Sequence, residues 1–245
     1  MRTALRGELL KIATVRGQWI GLALAAVAMP MTSLLVAASG GLSPEDTVTS
    51  GAATGSLAGL LGFGAWAASV TAGEYSHQTM VVSLSTVPRR TVFYGAKVIA
   101  ASLTAAAASL ASAVLAFAVV YAVTPHSSHR VGSPATLLSV VVAAVAVTAI
   151  GVAAGVLTRS SAAAITAVVV LILLPQTAAG LLGGLQPWVV GASPGPVITQ
   201  VVGNSQLDAD QTYPPGTAAA VATLLAAAAG IAVVGGCALV RRDGG

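Results

Sequence analysis

The sequence predicts an all-α membrane protein with six transmembrane helices, and three observations support this prediction. Hydrophobic residues make up 56% of the 245 residues and charged residues only 7%, whereas a soluble domain usually carries about a quarter charged residues. The apolar residues fall into six runs, each with the ~20 residues that a bilayer requires. Lys and Arg are concentrated in the segments on one side of these runs. A soluble globule of this length could not bury so much apolar surface, so we expect lipid around it.

The six runs lie in a single transmembrane domain over residues 1–245. The first run is too long for the apolar core of a signal peptide and shows no clear cleavage site, so we expect it to be retained as a span. Pro30 lies inside this run and is expected to kink its helix. The extracellular loop over 183–216 contains apolar residues, which predict that it dips into the outer leaflet or caps the bundle. The predicted spans are residues 18–38, 52–71, 94–123, 135–157, 161–182 and 217–240.

The distribution of basic residues sets the predicted orientation. With a cytoplasmic N-terminus, only Arg130 of the eleven Lys and Arg residues falls outside. Both termini are therefore predicted to be cytoplasmic, in a multi-pass protein of the cell membrane. The basic residues are scattered and form no aromatic-basic patch, so we expect the lipid bilayer and no nucleic acid as a partner. The inner basic residues are Arg2, Arg6, Lys11, Arg16, Arg89, Arg90, Lys97, Arg159, Arg241 and Arg242.

The segment before the first span, residues 1–17, predicts an amphipathic helix on the inner membrane surface. Leu5, Leu9 and Ile12 share one helical face by their spacing, although Arg16 also falls on it. A frayed basic tail that only sets orientation is the alternative. The charged residues of this helix that we single out are Arg6, Glu8, Lys11 and Arg16.

The cytoplasmic loop over 72–93 gathers polar residues between the second and third spans. Four residues with i, i+3, i+4, i+7 spacing predict one face of a short helix, which Pro88 ends. Arg89 and Arg90 are expected at an inner membrane border without any partner, whereas the carboxylate of Glu74 serves no rule of topology. The four residues of the helical face are His77, Met80, Val81 and Leu84.

The chain carries no recognisable set of catalytic residues, so we do not expect an enzyme. His126 and His129 have no Cys, Asp or Glu nearby and make a poor metal site. No phosphate-binding loop, nucleophile elbow or zinc-protease motif occurs, so no cofactor is expected in this chain. The middle of the spans holds no ionisable residue, which argues against a proton-coupled carrier, while sodium coupling through carbonyls and hydroxyls stays open. Because the sequence has no ATP-binding motif of its own, a pump built from this chain would need another protein to supply the energy of ATP.

Three stretches of the chain resemble the membrane subunits of ATP-binding-cassette exporters, in particular the ABC type-two permease family. GELLKIATVRGQW is similar to the N-terminal interfacial helix of that family, and GEYSHQTMVVSLSTVPRRTVFYGAK to its loop between spans two and three. ALVRRDGG resembles the ending after the last span, and the likeness in span number and loop order covers the whole chain. The matching positions are Glu8, Lys11 and Arg16 in the first stretch, and Glu74, Tyr75, Thr79, Pro88, Arg90 and Lys97 in the second.

The resemblance implies a mechanism in which two permease subunits pair as a homodimer or heterodimer. Each would dock a separate ATP-binding subunit, which would hold ATP and Mg, and the loop over 72–93 would act as the coupling helix. Closure of the ATPases would press on this loop and on the interfacial helix, and so switch the bundle between inward-facing and outward-facing states. The expected contacts to the ATPase are Glu74, Tyr75, His77, Thr79, Arg89 and Arg90.

Other functions remain open on the sequence alone. A membrane protein of the same fold could act as a scaffold or regulator without transporting, and an intramembrane enzyme or an ion-coupled carrier comes after that. For an exporter, the spans offer hydroxyl and aromatic groups but no fixed charge. We therefore expect an apolar or amphipathic cargo rather than a small anion.

Overall fold

The computed structural model describes residues 1–43, 46–80, 89–124, 130–178, 181, 199–200 and 217–242. Over these residues the regular secondary structure is helical throughout. The helices are α1 (Arg2–Thr14), α2 (Arg16–Ala38), α3 (Val48–Ala53), α4 (Ser56–Ser76), α5 (Arg90–Val123), α6 (Pro134–Thr158), α7 (Ser161–Thr177) and α8 (Thr217–Arg242).

Five helical stretches in the described part of the chain are long and apolar enough to cross a membrane. They are α2, the pair α3–α4 over Val48–Ser76, α5, α6 and α8. The predicted fifth span, 161–182, corresponds to α7, whose apolar part over Ser161–Leu174 is shorter than the other five. The all-helical, membrane-type architecture is confirmed, whereas the count of six spans and the orientation of the termini stay predictions.

The helix ends differ from the predicted span ends around the cytoplasmic loop. α4 continues to Ser76 and α5 begins at Arg90, so the loop predicted over 72–93 is shorter, and Glu74 and Tyr75 lie on a helix. Residues 81–88, with Val81, Leu84 and Pro88 of the predicted coupling helix, lie outside the described residues. So do His126 and His129, the outer loop 183–216 apart from residues 199–200, and the last three residues.

Helix α6 forms the centre of the bundle. It packs against α4, α5, α7 and α8, and 72% of the residues in its most hydrophobic 18-residue segment are buried. In the equivalent segments of α2 and α8, only 28% and 22% of the residues are buried, so these two helices lie at the periphery. The outer faces of α2, α5 and α8 present large apolar side chains, as expected where lipid replaces water. Examples are Leu24, Val27, Met31 and Leu35 of α2, Leu103, Leu110 and Val114 of α5, and Val233 and Val234 of α8.

The second predicted span is broken into α3 and α4, which sequence reasoning did not anticipate. The break leaves the Ala52 carbonyl and the Gly55 amide to find partners outside a regular helix. Both bond to the buried hydroxyl of Ser33 in α2, which donates to Ala52 O at 2.8 Å and accepts from Gly55 N at 3.1 Å. Backbone groups away from water need such partners, so one serine inside an apolar helix makes the break tolerable.

Pro30 lies within α2 without ending it. Because proline has no N–H, the carbonyl of Ala26, four residues earlier, lacks its usual helical donor. The hydroxyl of Ser112 in α5 donates to this carbonyl at 2.6 Å. The proline and the serine therefore work as a pair that joins α2 to α5.

Close helix packing depends on glycines at two contacts. A Cβ atom at Gly55 would collide with the carbonyl oxygen of Met29 in α2, and one at Gly151 with the carbonyl oxygen of Gly64 in α4. Small residues are common where membrane helices pack together, because they let the two backbones approach closely. These contacts bring α2 and α6 close to α4.

Candidate functional site

Four charged side chains meet at one end of the bundle, where α1, the last turn of α4 and the first turns of α5 come together. Lys97 Nζ lies 2.6 Å from Glu8 Oε2 and 2.8 Å from Glu74 Oε1. Lys11 Nζ lies 2.7 Å from Glu8 Oε1 and 3.1 Å from Glu74 Oε1. Each ammonium group therefore bridges both carboxylates, and we call Glu8, Lys11, Glu74 and Lys97 the ion cluster.

Most of the ion cluster is buried. Lys97 is 3% exposed, Glu8 6% and Glu74 8%, whereas the Lys11 side chain is 36% exposed. Burying an unpaired charge is costly, but two carboxylates and two ammonium groups leave this cluster with no net charge. The Phe93 ring adds a cation–π contact to both lysines, with its centroid 5.6 Å from Lys11 Nζ and 5.3 Å from Lys97 Nζ.

Helical spacing explains why these residues converge. Glu8 and Lys11 are three residues apart on α1, and Phe93 and Lys97 are four apart on α5, so each pair shares one helix face. Glu74 lies in the last turn of α4, which packs beside α2 and α6. The carboxylate of Glu74 therefore points into the site from a third helix.

The ion cluster shifts the pKa of its two α1 members in opposite directions. Burial alone would raise the Glu8 pKa, but Lys97 and Lys11 outweigh it, so the pKa lies below its ordinary value. Burial alone would lower the Lys11 pKa, but the Glu8 and Glu74 carboxylates outweigh it and raise that pKa. Both shifts favour the charged forms of Glu8 and Lys11, so the ion pair between these two residues persists across the neutral pH range.

A small cavity beside the ion cluster collects unpaired oxygens. Gln18 Oε1, Thr71 Oγ1 and Glu74 Oε2 line this cavity, are buried, and have no hydrogen-bond partner among the described residues. Its volume is about 10 Å³, close to the space that a single water molecule needs. Trp66 closes one side, and its indole N–H donates to Gln18 O at 3.0 Å.

A larger cleft of about 490 Å³ leads from the surface to the ion cluster, between the α1–α2 junction and the end of α4. Lys11, Gln18 and Glu74 form its inner part. His77 and Thr79, both exposed, form its rim, where the chain turns sharply at Gln78 with a φ of 57°. The predicted contact residues His77 and Thr79 are thus accessible to another protein.

The remaining predicted contact residues lie near the ion cluster but in different surroundings. Arg89 is exposed, whereas the Arg90 guanidinium approaches the Leu239 carbonyl of α8 at 3.5 Å. The Tyr75 ring lies 5.2 Å from the Arg159 guanidinium at the end of α6. Of the residues predicted in the interfacial helix, Arg6 is exposed on α1. Arg16 is also exposed, but it is the first residue of α2, because α1 ends at Thr14.

Glu74 differs from the expectation of a carboxylate that faces a soluble partner. Its side chain is turned into the ion cluster, so the charge is satisfied within the chain. The sequence offered no sign of this, because the pairing of Glu74 with Lys11 and Lys97 joins separate parts of the chain. Direct contact between Glu74 and a partner remains a prediction that this arrangement does not test.

The predicted apolar face of α1, with Leu5, Leu9 and Ile12, is only partly covered by the rest of the chain. Ala4, Glu8 and Ile12 are the buried residues of α1, whereas Leu9 is 36% exposed, as a side chain that faces lipid would be. α1 also packs against α5 and α2, so this segment is an ordered helix rather than a frayed tail.

Metal binding has no support in the described part of the chain, where no group of three or more His, Cys, Asp or Glu residues could hold an ion. No family model matches the sequence, and no curated protein matches it. The fold and the site define a class: an all-helical, membrane-type protein with a buried, charge-neutral ion cluster at one end of its bundle. The particular family remains a matter for proposal.

Proposed function

We propose that this chain is the membrane-spanning permease subunit of an ATP-driven exporter of the ABC type-two class. The observation that carries the proposal is that the three stretches resembling this family meet at one end of the bundle. Glu8 of the first stretch and Glu74 of the second share the ammonium group of Lys97. Arg90 of the second stretch donates to the Leu239 carbonyl in the third. Segments far apart in sequence thus converge where a soluble motor would have to act on them.

The same arrangement supplies a route for mechanical coupling. The exposed turn at residues 76–79 follows directly on Glu74, whose carboxylate is bonded to Lys11 of α1. α1 is a helix distinct from α2, because the non-helical residue Val15 separates the two. A partner that presses on this turn would move α1 and α4 together. ATP must favour one arrangement of the bundle over the other, because only differential affinity shifts a conformational equilibrium.

The proposed complex contains more than this chain. Two permease subunits, identical or related, form the pathway in the cell membrane, and each docks an ATP-binding subunit that holds ATP and Mg. The chain itself contributes no ATPase site. Its apolar spans favour an apolar or amphipathic cargo that leaves the cell.

The test is co-expression of the tagged chain with candidate ABC ATP-binding subunits, beginning with any that is encoded beside its gene, followed by reconstitution into liposomes. We expect the complex to hydrolyse ATP and to move a fluorescent amphipathic dye only with ATP and Mg. We expect Glu74→Ala to abolish dye movement. Asp46→Ala, which removes a half-buried carboxylate that bonds to Ser43 N outside the ion cluster, should leave it unchanged.

Two outcomes would contradict the exporter. ATP hydrolysis by the purified chain alone would mean that it is not a subunit dependent on a separate motor. A stable complex with the ATPase that moves no dye, lipid or drug-like compound would favour the scaffold instead.

An ion-coupled carrier is a second candidate, and one observation favours it. Glu74 Oε2, Thr71 Oγ1 and Gln18 Oε1 present unpaired oxygens beside a cleft that reaches the surface, and buried ionisable groups in membrane proteins often bind or relay ions. Liposomes that hold the chain alone separate the candidates. Transport driven by an imposed proton or sodium gradient, without ATP, would establish the carrier.

A further inference from the structure

An apolar groove of about 500 Å³ runs between α5 and α8, away from the ion cluster. This volume falls in the range of about 300–1,000 Å³ that is usual for small-molecule sites. Its walls are formed by Tyr94, Val98 and Ile99 of α5 and by Val233, Cys237 and Val240 of α8.

Two glycines form the floor of the groove. Gly95 and Gly236 line it, and a Cβ atom at Gly236 would come within 3.2 Å of the Tyr94 ring. Most of the wall residues are exposed, with Val233 at 65%, and belong to the peripheral apolar surface described above, whereas Tyr94 is buried. In a membrane, a groove on this surface opens sideways to acyl chains rather than to water.

One end of the groove is positively charged. Arg241 and Thr91 line this end, and none of the described lining residues is acidic. α5 begins here at Arg90, so its N-terminal amides can donate to an anion. α8 ends beside it, and its macrodipole has the opposite sign, so the charge of Arg241 sets the preference for an anion. Arg90 also bonds to the Leu239 carbonyl, which fixes the start of α5 against the end of α8.

We propose that this groove binds one anionic phospholipid, with an acyl chain along the glycine floor and the phosphate at Arg241, Thr91 and the start of α5. The inference does not depend on the exporter function and needs only that the chain spans a membrane. An apolar channel that ends in a basic group matches the two parts of such a lipid.

A second copy of this chain fits the groove less well. Two copies in one membrane share the same orientation, so a symmetric pair through this face would bring Arg241 of both copies to the same depth. Like charges would then approach each other, whereas an anionic lipid neutralises them.

Native mass spectrometry of the protein taken from vesicles of equal parts phosphatidylglycerol and phosphatidylcholine tests the proposal. We expect one retained phosphatidylglycerol and no retained phosphatidylcholine. Arg241→Gln should weaken retention about fivefold, the effect of one basic residue near an anionic lipid surface. Arg130→Gln, which changes an exposed arginine outside the groove, should retain lipid as the wild type does.

A second variant tests the groove itself. Among the described residues, a Cβ at Gly95 would have only the Met1 methyl nearby, at 3.6 Å, so Gly95→Leu can fill the groove without a collision with the described backbone. We expect this variant to fold and to lose the retained lipid. Equal retention of both lipids, or unchanged retention in Gly95→Leu, would overturn the site.

Cross-linking at Cys237 tests whether a second copy of the chain, rather than a lipid, occupies the groove. Cys237 is the sole cysteine of the chain, lines the groove and is exposed. We expect a short bis-maleimide to leave the protein monomeric on a denaturing gel after treatment in the same vesicles. Efficient Cys237–Cys237 cross-linking would show that the groove is an interface between two copies of the chain and not a lipid site.

Discussion

Lys97 Nζ on α5 lies 2.8 Å from Glu74 Oε1 on α4, and both side chains are buried at the predicted cytoplasmic end of the bundle. Removing the lysine would leave the Glu8 and Glu74 carboxylates with Lys11 as their one remaining cation in the ion cluster. We expect Lys97→Met to destabilise the protein by about 3–5 kcal/mol, the usual cost of an uncompensated buried charge. Thermal unfolding of the purified protein in detergent measures this change.

A double variant provides the control for this effect. Lys97→Met combined with Glu74→Gln removes one cation and one anion, so it should recover part of the lost stability. Additive losses from the two substitutions would mean that their charges do not interact.

The pH dependence of stability follows from the opposite pKa shifts of Glu8 and Lys11. The Glu8 pKa is lowered from 4.5, so its contribution is present above pH 4.5 and is lost as the pH falls through the lowered pKa. The Lys11 pKa is raised from 10.5, so its contribution is present below pH 10.5 and is lost as the pH rises through the raised pKa. We expect a stability plateau between these limits.

Melting temperature measured against pH tests this expectation in wild type and Glu8→Gln. The variant should lose stability at neutral pH and show a shallower decline on the acid side. An acid decline of the same steepness in both proteins would assign it to other carboxylates.

The Ser112 hydroxyl replaces a helical donor that Pro30 cannot supply to the Ala26 carbonyl. Ser112→Ala should therefore cost about 1 kcal/mol in wild type. It should cost less in a Pro30→Ala background, where the restored N–H can bond to this carbonyl. Ser109→Ala is the matched control, because the Ser109 hydroxyl bonds within its own helix, to Ala106 O. The same loss from Ser112→Ala in both backgrounds would refute the pairing.

Glycine substitutions separate close helix contacts from ordinary helix propensity. A Cβ at Gly55 would collide with the Met29 carbonyl, whereas a Cβ at Gly230 in α8 would meet no described atom within 4 Å. Gly55→Ala should lower the melting temperature, and Gly230→Ala should leave it equal or raise it, since Ala favours helices by about 1 kcal/mol over Gly. Stabilisation by both substitutions would show that α2 and α4 are less tightly packed here.

Run length and composition predicted the long helices well, because α2, α5, α6 and α8 need only an apolar stretch of sufficient length. The break between α3 and α4 could not be foreseen, since it depends on Ser33 reaching it from another helix. Of the site, Glu8, Lys11, Glu74 and Lys97 were each singled out by resemblance. Their mutual pairing was not predicted, because hydrophobic periodicity treats every carboxylate as exposed and carries no information on contacts between distant segments.

The final prediction concerns the attachment of α1, which the ion cluster makes testable by exchanging charges. Glu74→Lys with Lys97→Glu keeps the pair between α4 and α5 but sets like charges against Glu8 and Lys11 of α1. Adding Glu8→Lys and Lys11→Glu restores every opposite-charge contact of the wild type. We expect the double exchange to release α1 from the bundle and the fourfold exchange to reattach it.

Release of α1 can be followed at Ala4, which is buried on its packed face. In a Cys237→Ser background, Ala4→Cys should react slowly with a water-soluble maleimide in wild type and in the fourfold exchange, and quickly in the double exchange. Under the proposed function, ATP-dependent dye movement should follow the same order. Slow labelling in all three proteins would mean that apolar contacts alone hold α1. Restored attachment without restored transport would show that the ion cluster is structural and that the coupling route lies elsewhere.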